Sequence, residues 1–246
     1  AATLLTDATG SFQFSGQTFS SERPMGMALD ANTGNVYGLI ANSNEDFGSL
    51  KMLLKYGPNL GSSPLIQKDV THLNMPRNAG LAADASGNVY IGFVDEATGS
   101  GRLVKFNSSL TQLGESSVLL GNTFGGHGGV PATDAAGSVY QAWFGPSNGG
   151  DILVNRYDQN FNLAASRTLD LGDNTRMDGS FELAVMDSSN VFVTGASNNG
   201  LNIYWVSVKM NVTDSGAVTA AAQRVVITTS TASSAIIGTL LYNGAQ

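Results

Sequence analysis

Four stretches of this chain carry the same short hairpin, and their spacing leaves few folds open. The clearest copy is Gly80-Leu-Ala-Ala-Asp84-Ala-Ser-Gly87-Asn-Val-Tyr90-Ile-Gly-Phe93. Related copies are Met27-Ala-Leu-Asp30-Ala-Asn-Thr-Gly34-Asn-Val-Tyr37, Val130-Pro-Ala-Thr-Asp134-Ala-Ala-Gly137-Ser-Val-Tyr140 and Leu183-Ala-Val-Met-Asp187-Ser-Ser-Asn190-Val-Phe192. Successive aspartates stand 54, 50 and 53 residues apart. Asp bonds its own following backbone and Gly accepts positive φ, so each Asp/Gly group makes a tight turn. Val-Tyr or Val-Phe then starts a strand that suits a packed, pleated surface. The residues before the turn are small (Ala28, Gly80, Ala82, Ala83), as strands converging on a crowded centre require. A hairpin at this period is the mark of a radial strand array, a β-propeller.

A second signature follows each hairpin. Leu53-Leu-Lys55-Tyr56, Leu103-Val-Lys105-Phe106, Val154-Asn-Arg156-Tyr157 and Ser207-Val-Lys209-Met210 lie 25, 21, 22 and 22 residues after their aspartates. Each sets a basic residue beside a large apolar one, as in a third strand, C, if the hairpin supplies A and B. Fourth strands follow at Ser117–Leu120, Ser166–Leu169 and Gln223–Val226. Leu240-Leu-Tyr-Asn-Gly244-Ala245 resembles Phe192-Val-Thr-Gly195-Ala196, so the C-terminal segment reads as strands A and B of a further blade. Ala1–Phe19 would add its strands C and D, with Asp7-Ala-Thr-Gly10 as their connecting turn. The expectation is an all-β, five-bladed propeller of four-stranded antiparallel blades. Its blades span about 25–75, 76–125, 126–177 and 178–228, with the last shared between 229–246 and 1–24. Sharing the last blade closes the ring and covers two sheet edges.

The core Asp84-Ala-Ser-Gly-Asn-Val-Tyr-Ile-Gly and Asp187-Ser-Ser-Asn-Val-Phe-Val-Thr-Gly195 resemble SBBP and NHL-type propeller repeats, built on Asp-x-x-Gly-Asn-x-Tyr-Val-Thr-Gly. The resemblance covers four of the five expected blades, mainly their A–B hairpins. Asp187 departs by lacking the turn glycine, and the fifth blade lacks the Asp motif. The resemblance implies the architecture and repeats found in extracellular and cell-surface proteins, scaffolds and a few enzymes. It implies no catalytic residue.

Composition narrows the function classes. Only 13% of the residues are charged and the net charge is −7, which disfavours nucleic acid and anionic membrane surfaces. There is no Cys, hence no disulfide framework and no thiolate metal site. No membrane span is expected: Val225–Gln246 is uncharged, but Ser and Thr interrupt it. The Ala1-Ala2 start reads either as a processed end or as a chosen boundary.

Seven residues before the motif aspartates stand Arg23, Arg77, His127 and Ser180, with Arg176 near the fourth. Arg23, Arg77, His127 and Arg176 are therefore expected around one mouth of the central tunnel. Guanidinium forks there suit a carboxylate, sulfate or phosphate, or the side chains simply bond nearby carbonyls, Glu22 and Asp178. The B–C loops (Ala41–Asp46, Asp95–Gly99, Gly145–Asp151, Ser197–Gly200) should reach the same face. Their Asn, Ser, Gly and acids fit glycan hydroxyls, calcium or plain loop geometry. None has the dense Asp spacing of a calcium loop, so calcium is left open without support from the spacing, and no other cofactor is expected. His72 and His127 are too few for a three-His zinc site, and no Gly-x-Ser-x-Gly elbow occurs. A carboxylate pair such as Asp95 with Asp178 is not singled out by spacing. Trp143 and Trp205 sit at strand positions and read as core rather than as sugar platforms. Asn107-Ser-Ser109 and Asn211-Val-Thr213 are glycosylation sequons in matching turns after strand C. Together these point to a non-catalytic secreted or cell-surface module, either a structural subunit or a binder of a glycan or small anion. Partners of that kind include other copies and other extracellular proteins. The alternative is a glycan-active hydrolase or lyase with its site at the tunnel mouth.

Overall fold

The computed structural model describes residues 12–14, 17–19, 22–42, 50–60, 64–75, 79–95, 98–119, 128–144, 152–170, 181–198, 203–213 and 216–219. Strands β1 (Phe12–Phe14) and β2 (Gln17–Phe19) form a small antiparallel hairpin, Phe12 opposite Phe19. Strands β3 (Glu22–Leu29), β4 (Val36–Asn42), β5 (Lys51–Tyr56) and β6 (Ile66–Asp69) make the first four-stranded antiparallel sheet. A 3-10 turn at Thr71–Leu73 follows. Strands β7 (Gly80–Ala83), β8 (Val89–Asp95), β9 (Ser100–Phe106) and β10 (Gln112–Leu119) make the second. The third contains β11 (Gly128–Thr133), β12 (Val139–Phe144), β13 (Ile152–Tyr157) and β14 (Leu163–Asp170). The fourth contains β15 (Phe181–Val185), β16 (Asn190–Asn198) and β17 (Ile203–Asn211). All four expected aspartates close the first hairpin of their sheet, and the expected third strands are β5, β9, β13 and β17.

The turn chemistry explains the motif. Asp84 Oδ1 accepts the Ser86 and Asn88 amides at 2.8 and 2.9 Å, and Gly87 takes φ 76°. Asp134 repeats this with Ala136 and Ser138 at 2.9 and 2.8 Å, and Gly137 takes φ 83°. Asp187, without the glycine, still draws in the Ser189 and Asn190 amides at 2.8 and 2.9 Å.

Small residues allow the innermost strands to meet. A Cβ on Gly80 of β7 would lie 2.7 Å from Val130 Cα of β11, and one on Gly26 of β3 would lie 3.1 Å from Leu81 Cβ. Apolar side chains then fill seams between consecutive sheets. The first seam joins Tyr37, Leu39 and Leu53 to Leu81, Ile91 and Phe93. The second holds Tyr90, Leu103, Val139 and Tyr157, with Val94, Trp143 and Leu153 further along it. The third joins Tyr140, Ile152 and Val154 to Leu183, Val191 and Val193. Sheets covered on both faces give continuous apolar strands, such as Val89–Val94, rather than an in–out alternation.

The turns between third and fourth strands share a device of their own. Asn107 Oδ1 accepts the Ser109 and Thr111 amides at 3.0 and 2.9 Å, and Asp158 Oδ1 accepts those of Asn160 and Asn162, both at 2.9 Å. Three residues into each turn, a large apolar residue adopts positive φ: Leu60 (44°), Leu110 (59°) and Phe161 (68°). Left-handed backbone costs a non-glycine about 1–2 kcal/mol. Burial offsets it, because Leu110 enters the first seam and Phe161 stacks on Tyr157 at 5.4 Å in the second.

Strand β18 (Gly216–Thr219) is not one of the expected fourth strands. Outer strands begin five residues after Asn107 and Asp158, at Gln112 and Leu163. Five residues after Asn211 stands Gly216, yet β18 pairs parallel with β14 of the preceding sheet, Arg167 opposite Gly216 and Asp170 opposite Thr219. The third sheet thus has five strands and the fourth three among the described residues. The turn at 7–10, the strand at 223–226 and the strands expected from 229–246 lie outside the described residues.

Candidate functional site

On the hairpin face, each sheet bonds the next. Asn32 Nδ2 donates to Ala85 O at 2.6 Å, and Tyr37 OH to Gly87 O at 3.3 Å, across the first seam. Thr133 Oγ1 donates to Ala83 O at 2.8 Å across the second. Tyr140 OH donates to Ser188 O at 2.9 Å across the third. These bonds place all four aspartate turns on one face. The basic residues of the third strands serve the same end. Lys55 Nζ donates to Ser108 O at 2.9 Å and Lys105 Nζ to Gln159 O at 3.3 Å. Ser108 and Gln159 each follow the residue that opens the next blade's C–D turn. Each ammonium also lies over a second-strand tyrosine, Tyr37 at 5.8 Å and Tyr90 at 5.6 Å.

The aspartates carry a second bond. Tyr90 OH donates to Asp84 Oδ2 at 2.8 Å and Tyr140 OH to Asp134 Oδ2 at 2.9 Å. Burial, then the hydrogen bond to Asp84, raises the Tyr90 phenol well above its ordinary range. Burial, then the bond to Asp134, pushes Tyr140 up to about 12. Burial and then the nearby Asp30 charge raise Tyr37 as well. Such phenols stay protonated near neutral pH, so the pairs act as fixed donor–acceptor bonds rather than as acid–base couples.

Toward the opposite face, Arg102 ties its own sheet to the 3-10 turn that follows the first sheet and to the third sheet. Its guanidinium meets Glu115 at 2.6 Å and Asp95 at 3.8 Å, donates to Leu73 O at 3.2 Å and lies 5.0 Å from the Phe93 ring centre. Its carbonyl accepts Gln141 Nε2 at 2.9 Å. At the same end, Lys51 is buried and its ammonium pKa is lowered by that burial.

Of the expected mouth residues, Arg23 lies on β3 opposite Ala41, at the end away from the Asp30 turn, and its side chain lies outside the described residues. Arg77, His127, Arg176, Ser180 and Asp178 are outside them too, as are most of the B–C loops. Gly128, which follows His127, opens β11 at the end away from the Asp134 turn. Asp95 is drawn to Arg102. His72 is exposed, its Nε2 3.5 Å from Gln112 Oε1. Trp143 is fully buried as core, and the Trp205 side chain is outside the described residues. Asn107 and Asn211 occupy matching positions, and Asn211 Oδ1 accepts Thr213 Oγ1 at 2.6 Å. Among the described residues, no three His, Cys, Asp or Glu gather as a metal group, and no helix is long and apolar enough to cross a membrane.

Sequence reasoning found the Lys55 and Lys105 signature but not its use. The clue was a matched spacing: each lysine precedes its acceptor by 53 or 54 residues, one repeat. It also missed the left-handed Leu60, Leu110 and Phe161, whose signal is an apolar residue three places after Gly57, Asn107 and Asp158.

The class that these sheets and their seams define is an all-β, propeller-type array of antiparallel blades. No protein-family profile matches the chain, and no curated protein does. Among solved structures it is similar to the calcium-binding protein regucalcin from Agrobacterium tumefaciens, at 15% identity and TM-score 0.42, over 81% of this chain and 68% of that one. A subtype N11 neuraminidase-like protein of A/flat-faced bat/Peru/033/2010 overlaps at 12% identity and TM-score 0.39, over 73% of this chain and 57% of its own. A eukaryotic initiation factor overlaps at 10% identity and TM-score 0.29, over 75% and 55%. These overlaps are loose, and the fold rests on the sheets themselves.

Proposed function

We propose that this chain is a non-catalytic propeller module of the SBBP/NHL kind, secreted or displayed at the cell surface, that recognises a glycan or small anion. One observation carries the reading. Six titratable or cationic groups of the hairpin face, Asp84, Asp134, Tyr90, Tyr140, Lys55 and Lys105, are committed to turns and to bonds between neighbouring blades. That face holds the array rigid. Recognition then falls to the other face, the face on which the repeat pattern in the sequence leads us to expect Arg23, Arg77, His127 and Arg176. Asn107 and Asn211 are positioned to carry glycan if the chain passes through a glycosylating pathway.

The test pairs binding with turnover. Sulfate should raise the melting temperature, and Arg77→Ala should reduce that rise, with added chloride competing. A panel of neutral and acidic glycans should release no reducing ends and develop no unsaturated-product absorbance. Turnover of any glycan would replace this reading with a tunnel-mouth hydrolase or lyase. A melting temperature insensitive to sulfate and to every glycan would remove the binding role.

A further inference from the structure

We propose that Arg156 and Arg167 form an oxyanion site in the third seam, taking sulfate or phosphate between the third and fourth sheets. The site is separate from the expected tunnel mouth and does not rest on it.

The inference starts where the pattern of bonds across the seams breaks. Lys55 and Lys105 each donate to a carbonyl of the next sheet, Ser108 O and Gln159 O. Arg156 holds the same place on β13, 22 residues after Asp134, as Lys105 stands 21 after Asp84. The corresponding carbonyl is that of Val212, one residue after Asn211. Yet Arg156 Nε is buried with no hydrogen-bond partner, and so is Arg167 Nε on β14. A buried donor left unpaired is costly, and more so on a charged group. Arg102, by contrast, meets Glu115 and Leu73 O.

The register brings the two arginines together. Arg156 pairs with Ala165, and Val154 pairs with Arg167. Alternation along each strand puts Arg156, Val154 and Arg167 on one face. Val154 packs in the third seam with Leu183, Val191 and Val193, so that face is the one turned to the fourth sheet. Diagonal neighbours of this kind stand about 7–8 Å apart, within reach of one shared anion for side chains as long as arginine. Both residues are half-buried, so solvent screens their mutual repulsion only in part. The residues beside them are small: Ala165 opposite Arg156, and Gly216 of β18 opposite Arg167.

Strands around the pair offer no counter-charge. β13, β16, β17 and β18 contain no Asp or Glu. Tyr140 lies opposite Arg156, and beyond it Asp134 already accepts the Ala136 and Ser138 amides and the Tyr140 hydroxyl. Each guanidinium presents its Nε–H and one Nη–H as a fork that matches two oxygens of a single group. Two forks and two positive charges match a tetrahedral dianion. A carboxylate, with two oxygens and one charge, fills only one of them.

Heteronuclear NMR of the arginine Nε–Hε groups tests this on the unmodified protein, with Arg156→Lys and Arg167→Lys to assign the signals. Sodium sulfate should move both signals along one binding curve, and sodium chloride at equal ionic strength should not. Arg167→Lys keeps the charge but loses the fork, so the sulfate affinity read at Arg156 should fall by about tenfold or more. Arg77→Ala should leave both shifts in place. Inorganic phosphate and methyl phosphate, titrated in turn, separate a free ion from an esterified group, and either preference keeps the site. No shift with any of the three anions would overturn the proposal. So would equal shifts with chloride, which mean screening alone, or shifts lost in Arg77→Ala, which assign the anion to the tunnel mouth. Asp214, outside the described residues, follows Asn211 by the three places that separate Leu110 from Asn107 and Phe161 from Asp158. Movement of both signals in Asp214→Asn without added sulfate would make the chain's own carboxylate the partner, and would overturn the proposal as well.

Discussion

Tyr140 does two jobs with one hydroxyl. Its single O–H lies between two acceptors, Asp134 Oδ2 within its own turn and Ser188 O in the next blade, each 2.9 Å away, and is shared between them. Its pKa rises from 10.0 to about 12, burial contributing most. A raised folded-state pKa gives stability that is fully present below pH 10 and is lost as the pH climbs through 12. Alkaline titration should therefore lower the stability of the protein across that window, and Tyr140→Phe should flatten the dependence there. At neutral pH the same variant should cost about 1.5–3 kcal/mol in denaturant melts, because it removes a donor from a carboxylate. A loss below about 0.5 kcal/mol would show that water replaces the hydroxyl without penalty. Leu110 sets two effects against each other. Glycine would relieve about 1–2 kcal/mol of left-handed strain. It would also give up a leucine that is 1% exposed, a loss of about 2–5 kcal/mol once the cavity is counted. Leu110→Gly should therefore destabilise the protein despite its favourable φ.

Between strands, backbone approach decides what is tolerated. A Cβ at position 80 would meet Val130 Cα at 2.7 Å and Pro131 Cδ at 2.8 Å, both on β11. Gly80→Ala must push one strand off another and should cost about 1–3 kcal/mol. Gly38, inside β4, meets nothing within 4 Å. Gly38→Ala should be neutral or gain up to about 1 kcal/mol from the stiffer chain. Equal melting midpoints for the two variants would contradict the convergence of β7 on β11. This pair also shows what could be read in advance. The small residues before Asp84 announced a crowded centre, because crowding is a local demand on side-chain size. The lysine bonds were not legible, because Lys55 and Ser108 meet only after two blades stack. The seat of β18 was not legible either: Gly216-Ala-Val-Thr219 has no feature that separates β14 from β17. Arg77, His127 and Arg176 remain a pattern read from the repeat.

Across the whole molecule, the seams and the bonds that cross them bear on how the blades unfold. Repeat arrays are sums of unit stabilities and nearest-neighbour terms, and weak interfaces let units melt separately. Here each described seam is both apolar and bonded on the hairpin face, by Tyr37, Lys55 and Asn32 in the first, Lys105 and Thr133 in the second and Tyr140 in the third. Strong coupling of this kind predicts one cooperative transition. Trp143 is buried in the second seam and offers a local probe. In a Trp205→Phe variant, its fluorescence should follow the same urea curve as far-ultraviolet dichroism, which sees every sheet. Lys105→Met keeps the apolar stem but removes the bond to Gln159 and the ammonium over Tyr90 and Phe161. If the lysine couples the second and third blades, that variant should lower the common midpoint and begin to separate the two curves. A lowered midpoint with coincident curves would assign Lys105 to the stability of one blade alone. Separated curves before any substitution would mean that the blades stand as independent units, and that the bonds on the hairpin face order the turns without coupling the array.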